Sequence, residues 1–159
     1  MKANRAVMET KSNYDPELWQ KIVQLGWTGI RIPEEFGGLG LGHLELCVIA
    51  EELGRQLAPV PFSSSVYLFT EALLEFASEE QKTQILPQLV SGEVVGTFAM
   101  AETAAAPTEQ NLVVNYADGK LSGKKIAVPD AEVASHAIVV AKAVTYTHLR
   151  AHETHENLV

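Results

Sequence analysis

Apolar residues recur at intervals of three and four from residue 15 to about residue 90, as in amphipathic helices. The first such run follows Asp15-Pro16-Glu17 and contains Leu18, Ile22 and Leu25. Asp15 suits an N-cap, Pro16 the first helical position, and Glu17 the positive end of the helix dipole. The pattern therefore predicts a first helix that ends near Gly26.

A second helix is predicted over residues 43–57, and it carries two neighbouring apolar stripes. The first stripe contains Leu44, Cys47 and Val48, and the second contains Leu46 and Ile49. A helix that is apolar on two stripes is expected to be largely buried. Cys47 is therefore predicted to be a small buried apolar residue.

Two further helices are predicted before the pattern changes. One spans residues 62–76. The next begins with a capping box, in which Ser78 and Gln81 satisfy each other's backbone N–H groups. This fourth helix should run to about Val90 and be bent or interrupted at Pro87.

The segment between the first two helices contains a short alternating run and then a glycine-rich loop. Ile30 and Ile32 alternate around Arg31, which predicts a short extended piece. The spacing Gly38-x-Gly40-x-Gly42 is part of a dinucleotide-binding fingerprint, but His43 stands where the third glycine belongs. We therefore interpret residues 34–42 as a tight turn that links helices.

The period changes after Gly92, where β-branched and aromatic residues favour a strand over residues 94–98. Asp118-Gly119 predicts a hairpin between residues 112–116 and 120–128. Another strand is predicted over residues 136–144. The fold class is therefore α+β, with an all-α domain at residues 1–91 and the beginning of a β domain at residues 92–143.

The last segment, residues 144–159, changes composition abruptly and fits no strand or hairpin of this pattern. We expect it to be a foreign tail that is not part of the fold. It carries His148, His152 and His155, but His-Glu-Thr-His is one residue shorter than the zinc-binding His-Glu-x-x-His. No metal site is expected there.

Charge and composition exclude several classes of protein. The 159 residues include 20 acidic and 12 basic side chains, which gives a net charge of -8 and excludes a generally basic nucleic-acid binder. No apolar run approaches the roughly 20 residues of a membrane span. The single cysteine excludes an internal disulfide framework, so we expect a reducing, cytoplasmic location. Adjacent Glu34 and Glu35 are interpreted as a solvated pair, and the spacing of residues alone yields no catalytic constellation.

The order of several motifs resembles that of the acyl-CoA dehydrogenase family over residues 14–143. Residues 25–40, which contain Pro-Glu-Glu-Phe-Gly-Gly, resemble the signature loop of that family. The other matching segments are Ile49–Arg55, Ser78–Lys82 with Leu86-Pro87 and Ser91–Glu93, Phe98–Glu102 and Leu121–Lys125.

The resemblance implies a helical N-terminal domain, an antiparallel β-barrel-like middle domain and a C-terminal helical bundle. It also implies FAD as cofactor, an acyl-CoA thioester as substrate and α,β-dehydrogenation with hydride transfer to the flavin. In this family a carboxylate of the C-terminal bundle removes the α-proton, so no catalytic residue is expected within this chain. The implied partners are identical or homologous subunits and an electron-transfer flavoprotein.

The resemblance also assigns site residues. Those at flavin-contact positions are Phe98, Ala99, Met100, Ala101, Ala127, Val128 and Pro129, and Pro107 stands at a substrate-contact position. Several of these depart from the family pattern. Ala101 replaces a threonine, Pro107 replaces a serine, and Ala127-Val128-Pro129 replaces Trp-Ile-Thr.

Two functional hypotheses follow from these departures. The chain is the N-terminal part of a flavin-dependent acyl-CoA dehydrogenase, or it belongs to a non-catalytic, flavin-poor subunit that pairs with an active homologue. The aromatic ring and hydroxyl missing at Ala127 and Pro129 favour the second hypothesis. The loop over residues 34–42 fits both.

Overall fold

The computed structural model describes Val7 and residues 14–143, in which helices come first and short strands follow. The α-helices are α1 (Pro16–Gln24), α2 (His43–Arg55), α3 (Glu71–Phe76) and α4 (Glu79–Val90), and a π-helix (Ser63–Thr70) runs directly into α3. The strands are β1 (Gly96–Ala99), β2 (Asn115–Ala117), β3 (Lys120–Ser122), β4 (His136–Val139) and β5 (Lys142–Ala143).

The predicted start and end of α1 are confirmed. The Asp15 carboxylate accepts hydrogen bonds from the backbone N–H groups of Glu17 and Leu18, at 3.1 and 3.0 Å. Gly26 follows the helix with φ 74°, a left-handed conformation that glycine adopts without strain. These local signals fix the helix at both ends.

The short extended piece predicted around Arg31 is wrong. Residues Trp27–Gly29 form a 3₁₀ turn, and Ile30 continues it with φ -56° and ψ -40°. Ile30 and Ile32 are nevertheless buried. Two apolar residues that alternate around a polar one fit either a short strand or a turn whose side chains pack into a core. Here the packing of Ile30 and Ile32 favours the turn.

The glycine-rich loop is a tight turn whose backbone bonds to the preceding residues. The N–H groups of Leu39, Gly40 and Leu41 donate to the carbonyls of Gly29, Ile32 and Ile30, each at 2.9 Å. These three backbone N–H groups are bonded within the protein, which supports the interpretation of residues 34–42 as a turn that links helices. A Cβ at Gly38 would stand 2.0 Å from the Ile32 carbonyl oxygen, so only glycine fits there.

The predicted burial of α2 is wrong, although the helix itself forms. Leu46 is buried, but Leu44 and Val48 are 75% and 61% exposed, and Cys47 is exposed as well. Cys47 is therefore not the buried apolar residue that its neighbours suggested. A helix buried on two stripes needs packing partners on two sides, and the described elements cover only the Leu46 side.

The third and fourth predicted helices both form. The Ser78 hydroxyl accepts from Gln81 N–H at 3.3 Å, and the Gln81 side chain accepts from Ser78 N–H at 3.1 Å, which confirms the capping box. Pro87 lies inside α4, which continues past it to Val90 without interruption. In the π-helix the Thr70 hydroxyl donates to the Ser65 carbonyl at 2.8 Å, five residues back.

The core consists of two apolar clusters, both built mainly from the helices. The first contains Trp19, Ile22, Ile30, Leu46, Phe62 and Val66. The second contains Ile32, Phe69, Leu73, Ile85, Leu86, Leu89 and Val94, with Ile138 packed against it. Val94 and Ile138 come from the region of the strands, so the second cluster joins both parts of the chain.

The described strands form two small sheets. In one, β1 pairs in parallel with β4, and in the other the order is β3-β2-β5. The β2–β3 hairpin is antiparallel as predicted, with Asp118 and Gly119 both at positive φ in its turn, but β2–β5 is parallel. In the described residues the strands follow the helices, as predicted. Neither sheet closes into a barrel, so the expected antiparallel β-barrel-like domain is not confirmed.

Strand β1 packs closely on the π-helix. A Cβ at Gly96 would stand 2.1 Å from the ring of Phe69, and the Gly96 N–H donates to the Ser65 hydroxyl at 3.2 Å. The helical and strand parts are therefore packed against each other across the predicted domain boundary near residue 91.

The expected foreign tail, residues 144–159, lies outside the described residues. No described helix is long and apolar enough to cross a membrane.

Candidate functional site

Two of the segments selected by the resemblance lie side by side at the end of β1. The Ile126 N–H donates to the Ala101 carbonyl at 2.8 Å, and the Thr97 hydroxyl donates to the Pro129 carbonyl at 2.6 Å. These bonds bring residues 98–101 next to residues 127–129. We call this pair of segments the paired edge.

An ion pair whose side chains are largely shielded from water lies beside the paired edge. The Lys125 ammonium contacts the Glu102 carboxylate at 2.7 Å, and each side chain is only 8% exposed. Lys125 also donates to the Met100 carbonyl at 3.0 Å. Lys125 is thereby fixed by two partners on the neighbouring segment.

The Glu102 carboxylate is held by further donors. It accepts from the backbone N–H groups of Val113 and Val114, at 2.6 and 3.0 Å. The hydrogen bond from Lys125 and these two backbone bonds outweigh the effect of desolvation and lower the pKa of Glu102 to about 2. The carboxylate is therefore ionised throughout the neutral range.

The second segment begins at a residue in an unusual conformation, and another such residue follows it. Ala127 and Asp130 have φ values of 49° and 52°, in the left-handed region that non-glycine residues seldom occupy. The fully buried Ser64 hydroxyl donates to the Asp130 carboxylate at 2.6 Å. Together with the Thr97 bond, this contact from the π-helix fixes the turn against the helical part of the protein.

The paired edge offers mainly backbone and small side chains to a ligand. Ala99 is buried, Met100 is 44% exposed, and Ala127 and Pro129 are exposed. Phe98, Ala101 and Val128 are half-buried. The edge has neither an aromatic ring at residue 127 nor a hydroxyl at residues 101 or 129.

Pro107 lies in a separate loop, residues 103–111. Asn111 closes this loop by donating to the Ala106 carbonyl at 2.9 Å and by accepting from Thr108 N–H at 2.6 Å. The hydrogen bonds that join the two segments of the paired edge do not involve Pro107. Its assignment to substrate contact stays a prediction.

Sequence reasoning missed Glu102, Lys125, Ser64 and Asp130. Glu102 and Lys125 each stand at the end of a motif that carries the resemblance, and an acid and a base at those places are a signal that could have predicted the pair. Ser64 and Asp130 are 66 residues apart and carry no such signal. Within residues 14–143, no three His, Cys, Asp or Glu side chains cluster as metal ligands would.

Comparison with known proteins gives consistent results. The family model described as acyl-CoA dehydrogenase, N-terminal domain, matches residues 1–93. Mitochondrial isovaleryl-CoA dehydrogenase of Arabidopsis thaliana is 34% identical over 137 residues, which are 82% of this chain and 34% of that protein. The chain thus spans about a third of the length of this relative.

Solved structures give the same result. The Tcur3481-Tcur3483 steroid ACAD G363A variant has a TM-score of 0.77 and 35% identity, covering 88% of this chain and 39% of that one. The ChsE4-ChsE5 complex from Mycobacterium tuberculosis has a TM-score of 0.75 and 31% identity, covering 88% and 38%. The matching model, the shared sequence and the shared fold show that this chain belongs to the acyl-CoA dehydrogenase family.

Proposed function

We propose that this chain is the N-terminal part of a flavin-dependent acyl-CoA dehydrogenase. The paired edge carries the proposal, because the two segments that the family uses against its flavin are adjacent here. The bonds from Ile126 to Ala101 and from Thr97 to Pro129 hold them together. The matched relatives support the same reaction class.

The paired edge presents small side chains on a backbone that hydrogen bonds within the chain already hold in place. The carbonyls of Met100, Ala101 and Pro129 each accept a bond from within the chain, so the edge is already shaped without a ligand. Small side chains at Ala101 and Ala127 leave its surface open to a flat ring. Met100, Ala101, Ala127 and Val128 would hold the cofactor.

When bound, FAD would accept the hydride from the β-carbon of the acyl-CoA substrate. This chain's part is to orient the cofactor and keep one side of the site rigid. The base that removes the α-proton belongs to the C-terminal bundle of the family. We therefore expect no turnover of acyl-CoA by the 159-residue chain alone.

A second candidate is a flavin-poor subunit that pairs with an active homologue. The absence of an aromatic ring at Ala127 and of hydroxyls at Ala101 and Pro129 favours it. One of the matched solved structures is a complex of two differently named proteins. Hydroxyl bonds and aromatic packing of the missing kind contribute about 1 kcal/mol each, or roughly one to two powers of ten in affinity together.

The flavin content of the full-length protein distinguishes the two candidates. We would compare wild type with the Ala127→Trp/Pro129→Thr variant and measure FAD retained per protomer after gel filtration. Each single substitution serves as a control for the separate contributions of ring and hydroxyl. Turnover of an acyl-CoA with an artificial electron acceptor is measured in parallel.

Each result has a definite interpretation. One flavin per protomer and turnover in wild type support the dehydrogenase. Little flavin in wild type and more in the double variant support the partner subunit. Absence of flavin from all variants contradicts the assignment of a flavin site to the paired edge.

A further inference from the structure

Two opposite charges meet at the junction of three chain segments, and their side chains are largely shielded from water. Glu102 follows β1, Lys125 precedes the exposed turn with Ala127, and each side chain is 8% exposed. For comparison, the ion pair of Lys82 and Glu79 on α4 has side-chain exposures of 17% and 80%. Of these two pairs, only the first has both side chains largely shielded from water.

The hydrogen bonds show what the ion pair connects. The carboxylate of Glu102 binds the N–H groups of Val113 and Val114, which lead into β2. The ammonium of Lys125 binds that carboxylate and the Met100 carbonyl. Through these hydrogen bonds the ion pair connects three segments of the chain, residues 100–102, 113–114 and 125.

The paired edge is joined immediately beside this ion pair. Lys125 precedes Ile126, whose N–H donates to the Ala101 carbonyl at 2.8 Å. Met100 and Ala101 belong to one segment of the edge, and Ala127 belongs to the other. The ion pair and the Ile126–Ala101 hydrogen bond therefore connect the same two segments of the chain.

A buried ion pair is a weak source of stability, because desolvation offsets most of the attraction between the charges. Its geometric specificity is a better reason for its presence, since both partners need fixed positions.

We propose that Glu102 and Lys125 are positioning residues that set the spacing of the paired edge, and through it the orientation of a bound flavin. This inference rests on the proposed function for its flavin part only. The residues act through the backbone of Met100, Ala101 and Ile126. They do not contact the reacting atoms.

The test replaces the pair without leaving an unpaired buried charge. The variant is Glu102→Gln/Lys125→Met, and the matched control is Glu79→Gln/Lys82→Met on α4. Amide hydrogen exchange is measured at Ile126, with the Gln81 amide of the capping box as internal reference. The urea midpoint reports global stability, and FAD titration of the full-length protein reports affinity and the absorption bands of the bound flavin.

We expect exchange at Ile126 to become at least about tenfold faster in the first variant, with little change in the urea midpoint or at Gln81. The control should leave Ile126 unchanged. FAD affinity should fall by roughly tenfold and the flavin absorption bands should shift, because the edge no longer has one fixed spacing. The variant Glu102→Gln/Lys125→Leu provides a second measurement if the first double variant does not fold.

Three outcomes would overturn the inference. These are unchanged exchange at Ile126, a change at Ile126 that only parallels a lower urea midpoint, and faster exchange with unaltered flavin affinity and spectrum. If wild type binds no FAD but Ile126 is loosened selectively, the proposed function fails and the positioning of the segments stands. The two proposals are therefore separable.

Discussion

Glu102 links the stability of the protein to pH. Its pKa is about 2 in the folded protein, below the ordinary glutamate value of 4.5, mainly because Lys125 donates a hydrogen bond to it. The ionised carboxylate therefore contributes its full stability above about pH 4.5, and that contribution is lost as the pH falls towards 2. We predict that Glu102→Gln flattens the fall in the urea midpoint over this pH range.

The control for this prediction is Glu79→Gln, which removes an exposed carboxylate from the pair with Lys82. In this variant the urea midpoint should fall with decreasing pH nearly as it does in wild type. An equal flattening by both variants would show that the burial of Glu102 has no special effect.

Gly96 has no room for a side chain, because a Cβ there would stand 2.1 Å from the Phe69 ring. Gly96→Ala should therefore force β1 and the π-helix apart and cost about 1–3 kcal/mol of the free energy of unfolding. Gly54→Ala in α2 is the matched control, since a Cβ there meets nothing within 4 Å. It should stabilise the helix by about 0.5–1 kcal/mol. Chemical denaturation of the two variants gives both values, and a loss from Gly54→Ala or none from Gly96→Ala would contradict this.

At the scale of elements, α2 has one buried and one exposed apolar side. Leu46→Ala should cost about 2–4 kcal/mol, because Leu46 is only 7% exposed and packs in the first core cluster. Leu44→Gln and Val48→Gln should each change the free energy of unfolding of this chain by less than about 0.5 kcal/mol. Urea denaturation decides, and a large loss from Leu44→Gln would mean that the exposed side is covered in solution.

The elements predicted correctly are those whose signals are local. Asp15, the Ser78 and Gln81 capping box, and Asp118-Gly119 each fix a helix start or a turn through neighbours in sequence. The elements predicted wrongly depend on distant partners. Burial of Cys47 would require a second neighbour for α2, and the parallel pairing of β1 depends on β4.

The candidate site shows the same division. Its segments were located from the motifs at residues 98–102 and 121–129, and the structure brings residues 98–101 and 127–129 together. The bonds that hold them were not predicted. Glu102 and Lys125 are 23 residues apart, so no helical or strand period relates them, and their places at the ends of two motifs are the only signal for the pair.

At the scale of the whole molecule, the helical and strand parts share one core cluster. Val94 is buried there and Ile138 packs against it, so residues 91–95 are not a free linker. The loop over residues 103–111 is mostly exposed instead. We predict that limited digestion with a glutamate-specific protease cuts after Glu109 before it cuts after Glu93.

Both glutamates are exposed, which makes them a matched pair of cleavage sites for one enzyme. Mass spectrometry of the first fragments identifies the bond that is cut. Earlier cleavage after Glu93 would mean that the strands separate from the helices more readily than the shared cluster implies.

The parallel pairing of β1 with β4 also has a kinetic consequence. Gly96 is in register with His136, so the pair forms only after a loop of about 40 residues has closed. Loop closure of this length is entropically costly, whereas α1 and α4 need only local contacts. During synthesis β1 therefore leaves the ribosome long before its partner strand exists. The π-helix, which is made earlier and packs on β1, is the surface that can shelter it during that interval.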